Sequence, residues 1–204
     1  MGFYADQVLP RITDLLLGTK AFGKVRQEVC EGLHGAVVEL GFGSGLNLSH
    51  LPPEVEGVWA VEPSGTALKL ARKRTDASSV LVQAAGLDGA RIESPDDRFD
   101  TALSTMTLCT IPDVEAALEE VRRVLKPGGT FHFAEHGHSP DAKVARTQDR
   151  FNGMEQRFAG GCHLNREISA LITGAGLRID TMRNFYLKGP KAWGYMYLGT
   201  ATAP

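Results

Sequence analysis

The sequence predicts an α/β fold: a mostly parallel seven-stranded sheet, covered by helices on both faces and ending in an antiparallel hairpin. Three observations carry this. Short β-branched, apolar runs alternate with helical patterns from Ala36 to Ala134, which is the signature of βα units and a parallel sheet. A glycine-rich turn follows the first run directly. The last two strand-like runs meet across Gly189-Pro190, a connection too short for a parallel return.

Before the sheet, the stretch to about Glu31 reads as helical. Val8, Ile12, Leu15 and Leu16 form one apolar stripe, Phe22, Val25 and Val29 a second, and Gly18 breaks between them. Pro10 fits only in a first helical turn. Residues 1–34 are therefore expected to be cap helices on a core spanning 35–204, the whole forming one domain. Strands are expected at Ala36–Leu40, Val58–Glu62, Val80–Gln83, Phe99–Leu103 and Thr130–Ala134. A helix from Asp113 to Leu125 stops at Lys126-Pro127-Gly128-Gly129. Asp141–Phe158 reads as a lid helix, with Val144, Phe151 and Phe158 at heptad spacing. Asn165 is expected to cap a helix to Thr173. Leu177–Leu187 and Ala192–Thr200 are the closing strands.

With 204 residues and a formal net charge of -2, the chain offers no electrostatic reason to bind nucleic acid. Its densest basic cluster, Arg72-Lys73-Arg74, reads as a solvated helix end. Three isolated cysteines, Cys30, Cys109 and Cys162, form no CxxC pair, which points to a reducing compartment rather than a disulfide framework. No apolar run is long enough to cross a bilayer. The expectation is a cytoplasmic protein with no integral membrane segment, acting on a small molecule.

The strongest motif is Glu39-Leu40-Gly41-Phe42-Gly43-Ser44-Gly45, between a strand and a helix expected to begin near Leu46. Glycines there allow a sharp turn and the close approach of a ligand to the main chain. A dinucleotide fingerprint needs G-x-G-x-x-G, and Leu46 stands where its last glycine would be. Glu39 is an acid inside an otherwise apolar strand, costly unless paired or solvated. Glu62, ending the second strand, is placed to accept both ribose hydroxyls of a nucleoside cofactor. Asp88, after the third strand, reads either as an acceptor for an adenine amino group or as a plain turn residue.

These runs, with Phe99-Asp100 and Arg123-Val124-Leu125-Lys126-Pro127-Gly128-Gly129, resemble class I S-adenosylmethionine (SAM)-dependent methyltransferases over about Ala36 to Glu135. The resemblance implies a Rossmann-like fold and S-adenosyl-L-methionine as cofactor. A narrower likeness lies in Gly45-Leu46-Asn47-Leu48, Thr107-Leu108-Cys109-Thr110, Phe131 to His136 and Gly161 to Glu167. These resemble the alkyl-thiol methyltransferases and their bacterial relatives, whose mammalian members carry a hydrophobic N-terminal anchor not seen here. The expected cofactor set is Glu39, Gly41, Gly43, Gly45, Asn47, Glu62, Pro63, Leu87, Asp88, Ser104 and Thr105.

Methyl transfer is an in-line displacement in which the cofactor brings the reactive group and the protein aligns it. The favoured acceptor is a small, apolar thiol; a quinone-like or phenolic acceptor is the alternative, and a SAM-binding protein without turnover is the rival from another class. The acceptor pocket is expected at the ends of strands four and five, from Ser104, Thr105, Met106, Thr107, Cys109, Glu135, His136 and His138. His136 is the candidate base, and His132 reads as a core residue. No metal is expected, because the four histidines His132, His136, His138 and His163 lack a recognised ligand spacing.

Overall fold

In the computed structural model, which describes residues 3–204, seven strands form one sheet. They are β1 (Gly35–Leu40), β2 (Val55–Val61), β3 (Leu81–Gly86), β4 (Phe99–Thr105), β5 (Leu125–His136), β6 (Arg178–Tyr186) and β7 (Tyr195–Thr202). Their order is β3-β2-β1-β4-β5-β7-β6. Strands β1 to β5 run parallel, and β7 is antiparallel to both β5 and β6. The chain's direction along the sheet reverses between β1 and β4, and in open α/β sheets ligands bind at that switch.

Around the sheet lie α1 (Leu9–Leu17), α2 (Lys20–Cys30), α3 (Gly65–Ala77), α4 (Val114–Val124), α5 (Ala142–Phe158), α6 (Ile168–Gly174) and the short α7 (Lys191–Gly194). A π-helical turn, Tyr4–Val8, leads into α1, and Pro10 does sit in its first turn. Strand alternation divides the core in two. Val38, Leu40, Ala102, Phe131 and Phe133 face Leu118 and Val121 of α4 and Ile168 and Ile172 of α6. Val37, Leu103 and Ala134 face Val25 and Val29 of α2 and Ala71 of α3. Helix α4 begins where expected, with the Asp113 carboxylate accepting from Ala116 N–H.

Four expectations need correction. No α-helix starts near Leu46: the segment makes one 3-10 turn, Leu48–His50, because Pro52-Pro53 keeps Leu51 extended and leaves no room for a second turn. Asn165 caps nothing; its amide donates to Asp149 at 2.9 Å, and α6 starts later, from Glu167. Residues Lys191–Gly194 form a helical turn, so the last strand starts at Tyr195. The apolar stripe of α1 is not buried, with Leu15 76% and Leu16 60% exposed. Within β5, the pairing jumps from Phe99↔Leu125 to Thr101↔Thr130, so Lys126–Gly129 loop out between two paired stretches. No helix among the described residues is long and apolar enough to cross a membrane.

Leu118 is fully buried between α4 and the sheet. Its replacement by alanine is expected to lower the unfolding free energy by about 2–5 kcal/mol, read from urea unfolding. A loss below about 0.5 kcal/mol, the size of an ordinary surface change, would contradict this packing.

Candidate active site

Three glycines of the loop after β1 have left-handed backbones: Gly41 at φ 65, Gly43 at φ 58 and Gly45 at φ 74. They answer to different constraints. A Cβ on Gly41 would stand 2.1 Å from Thr107 Oγ1, so the fold itself demands glycine there. A Cβ on Gly43 would meet nothing nearer than 3.7 Å; that position is open, as the approach of a ligand requires. Glu62 fastens the loop, accepting from Gly43 N–H at 2.7 Å on one oxygen and from Ser64 N–H at 2.8 Å on the other. Burial raises the Glu62 pKa against those two bonds. Each carboxylate oxygen keeps acceptor capacity for a further donor.

Beside the loop lies a buried polar network. Asn47 donates to Glu39 Oε1 at 2.6 Å and to Thr105 Oγ1 at 3.0 Å. Arg26, from α2, donates to Asn47 Oδ1 at 2.6 Å and to Thr105 Oγ1 at 3.1 Å. None of the four is more than 7% exposed. Burial pushes the Glu39 carboxyl up to about 8 against the Asn47 bond and the Arg26 charge, and lowers the Arg26 guanidinium. Two buried atoms of opposite character, Glu39 Oε2 and Arg26 Nε, have no hydrogen-bond partner among the described residues. Arg26 escaped the sequence reading because an arginine in an amphipathic helix is ordinary; only the fold shows that it points inward.

Glu135 organises the opposite side of the switch. It accepts from Ser104 Oγ at 2.7 Å, from Thr107 N–H at 2.8 Å and from Leu108 N–H at 3.1 Å. Burial pushes its pKa up to about 7. Those bonds hold the turn after β4, whose first residue, Met106, has a left-handed φ of 54. The Ser104 side chain is thus committed to Glu135 and fully buried, so it acts on the cofactor region only through that turn.

Helix α1 is tied to the glycine loop through polar groups. Ser44 Oγ donates to Asp14 at 2.5 Å, and Arg74 reaches both Asp14 at 3.0 Å and Ser44 O at 2.9 Å. Arg74 is therefore a bridge from α3, not a free helix end. Pro63, Leu87 and Asp88 are exposed at the ends of β2 and β3. Asp88 accepts from Ala90 N–H at 2.9 Å, closing its own turn. On α5, Val144 and Gln148 are buried while Met154 and Phe158 are exposed; its C-terminal half does not wall off a pocket. Tyr4 donates to Phe158 O at 3.0 Å.

Among the histidines, His132 Nδ1 bonds Val29 O at 2.9 Å, the core role expected of it. His138 pairs with Glu167 at 2.9 Å. His136 is 3% exposed. Its Nε2 lies 3.1 Å from Cys162 Sγ, and its Nδ1 is buried without a partner among the described residues. With one nitrogen against Cys162 and the other buried, His136 is not placed as the expected base. The hydrogen bond between Cys109 and Cys162 raises the first thiol and lowers the second.

A sheet in this order, with a glycine loop at the β1/β4 switch and an acid ending β2, is the class I SAM-dependent methyltransferase fold. Comparison with known proteins agrees. The family described as a methyltransferase domain matches residues 38–133. Thiol S-methyltransferase TMT1B of Rattus norvegicus is 32% identical over 137 residues, 64% of this chain and 55% of that protein. The chain thus spans about half the length of that curated relative. Ubiquinone/menaquinone biosynthesis C-methyltransferase UbiE of Cupriavidus metallidurans is 36% identical over 72 residues, 35% of this chain and 30% of that protein. The N-methyltransferase NodS of Bradyrhizobium japonicum, solved with S-adenosyl-L-homocysteine, shares the fold with TM-score 0.70 at 17% identity, covering 98% of each chain. The resemblance to class I SAM-dependent methyltransferases holds in sequence and in fold, and S-adenosyl-L-methionine is the cofactor that goes with it.

The two raised carboxyls set a pH dependence. Glu39 moves from 4.5 to about 8 and Glu135 from 4.5 to about 7 on folding. Between those values the folded chain holds protons that the unfolded chain has released, so stability falls as pH rises through the window. Urea unfolding of the ligand-free protein is expected to show this fall between about pH 5 and about pH 8, and Glu39→Gln to flatten it. A wild-type profile that rises across this range would refute the assignment.

Proposed function

We propose that this protein transfers a methyl group from S-adenosyl-L-methionine to the sulfur of a small, apolar thiol. The observation that carries the cofactor site is the pair of unpartnered buried atoms in the network that Asn47 of the glycine loop joins to β1 and α2. A methionine-derived group presents an ammonium and a carboxylate together; Glu39 Oε2 suits the first and Arg26 the second. Glu62 would accept from the ribose hydroxyls while keeping its bonds to the loop. Leu87 and Asp88 would flank the adenine, with Pro63 against the nucleoside. Asn47 and Thr105 position Glu39 and Arg26 rather than reach the ligand themselves.

The cofactor supplies a methyl bound to a sulfonium, which a thiolate can displace. Charge is consumed in that step, so the protein's contribution is alignment and the exclusion of water. The buried turn held by Glu135 is the natural wall of that region. A thiol is partly ionised near neutral pH and needs little help from a base, which suits a site where His136 is enclosed. The likeness to a thiol S-methyltransferase over 64% of the chain supports the acceptor; the match to a quinone C-methyltransferase spans 35%.

Calorimetry with SAM tests the cofactor site. Arg26→Met and Gly43→Val are each expected to weaken binding at least about tenfold, equal to 1.4 kcal/mol; unchanged affinity in both would remove the site. A labelled-methyl screen over alkyl thiols, phenols, quinols and amines tests the acceptor. Label in thioethers is the expected result, and label confined to amines or quinols would overturn the thiol reading.

A further inference from the structure

Three side chains from separate segments converge beyond the cofactor site. Cys109 lies in the turn after β4, His136 ends β5, and Cys162 lies in the turn after α5. Their ligand atoms all lie within 4.8 Å of one another. Sequence spacing hides the set, since 27 and 26 residues separate its members along the chain.

The scaffold under this cluster is rigid. His163 N–H donates to Cys109 O at 2.8 Å, coupling the two cysteine turns through the backbone. Arg166 donates to Leu108 O from the same side. Glu135, next to His136, holds the N–H groups of Thr107 and Leu108 from below. Three ligands are thus presented by elements that do not depend on the ligand to be ordered.

The donor set selects the ion. Two thiolates and an imidazole suit a soft, tetrahedral cation, and zinc is the common divalent one. With zinc–sulfur near 2.3 Å and zinc–nitrogen near 2.0 Å, tetrahedral ligands stand roughly 3.5–3.8 Å apart; the cluster's separations, from 3.1 Å for His136–Cys162 to at most 4.8 Å, bracket that spacing. Charge agrees too: a divalent ion, two thiolates and a neutral imidazole sum to zero, which a buried site tolerates. Glu135 is committed to its hydrogen bonds, and no fourth His, Cys, Asp or Glu joins the set among the described residues. Three protein ligands and an open fourth position is the pattern of catalytic rather than structural zinc.

We propose that Cys109, His136 and Cys162 bind one zinc ion whose open fourth position takes a thiolate. Cys162 is only half-buried, whereas Cys109 and His136 are buried. Metal binding stands on the cluster alone; the identity of the thiolate as the methyl acceptor rests on the thiol reading above. In that role the acceptor thiol gives its proton to solvent on coordination. Its sulfur lone pair then forms the new S–CH3 bond as the sulfonium S–CH3 bond breaks, and that bonding pair stays on the departing thioether. His136 serves as a ligand and the expectation of a metal-free site is reversed.

The test uses the full chain, reduced, loaded with zinc and freed of excess by dialysis, with metal content measured per chain and Co2+ substitution read by its thiolate charge-transfer band. One equivalent is expected. Cys109→Ser and Cys162→Ser should each weaken zinc more than the roughly 10–100-fold that losing a hydrogen-bond partner of a ligand costs, while Cys30→Ser keeps it. Retained SAM binding in the variants shows that they are folded. Absence of stoichiometric zinc, or zinc retained by both folded serine variants, would overturn the site. Zinc bound with no thiol methylated would defeat the acceptor reading alone, and full-rate thiol methylation by a zinc-free chain would defeat the ion's role in it.

Discussion

Everything at the cofactor end depends on a carboxyl group buried inside a strand. Glu39 sits in β1, 1% exposed, and an isolated carboxylate there would be prohibitive. Asn47 and Arg26 make it tolerable, and in doing so they tie α2, the glycine loop, β1 and β4 into one polar knot with Thr105. The knot is incomplete, since one carboxylate oxygen and one guanidinium nitrogen have no partner among the described residues. Apolar residues in its place are often as stable or more so; the receptor for a zwitterion proposed above accounts for that cost.

The other two carboxylates follow a common design. Glu62 and Glu135 each leave the end of a strand, are buried, and take backbone N–H groups from a neighbouring loop. One shapes the cofactor loop and the other the turn that carries Cys109. The loops at the switch point are therefore held by anions that burial has made reluctant to ionise, which links their geometry to pH. Asp14 extends the scheme outward, since its bonds to Ser44 and Arg74 are what seat α1 on the glycine loop. That helix buries no residue.

The features legible in the sequence were those set by local rules. Gly41, Gly43 and Gly45 announced a left-handed loop, Glu39 was conspicuous in an apolar strand, and the Gly189-Pro190 hairpin signalled antiparallel closure. Asp113 ahead of an apolar helical stripe marked the start of α4. What was hidden depends on chain convergence. Arg26 and Arg74 resemble any helix-surface cation until the fold brings them to Asn47 and Ser44. Cys109, His136 and Cys162 share no motif, because each arrives on a different connection. Leu46 to His50 has helix-forming residues, yet Pro52-Pro53 stops it within one turn, and Asn165 has a cap's chemistry but a nearer partner in Asp149.

The central claim is that the unpartnered Glu39 oxygen receives the cofactor's ammonium. Titrating SAM by calorimetry near pH 7 in buffers of different ionisation enthalpy measures the protons exchanged on binding. With its pKa at about 8 in the ligand-free chain, Glu39 is mostly protonated there, and a cation beside it favours the charged form. The account predicts saturable binding with net proton release, and loss of that release in Glu39→Gln. Saturable binding with no proton exchange, or the same release from the Glu39→Gln variant, would contradict it.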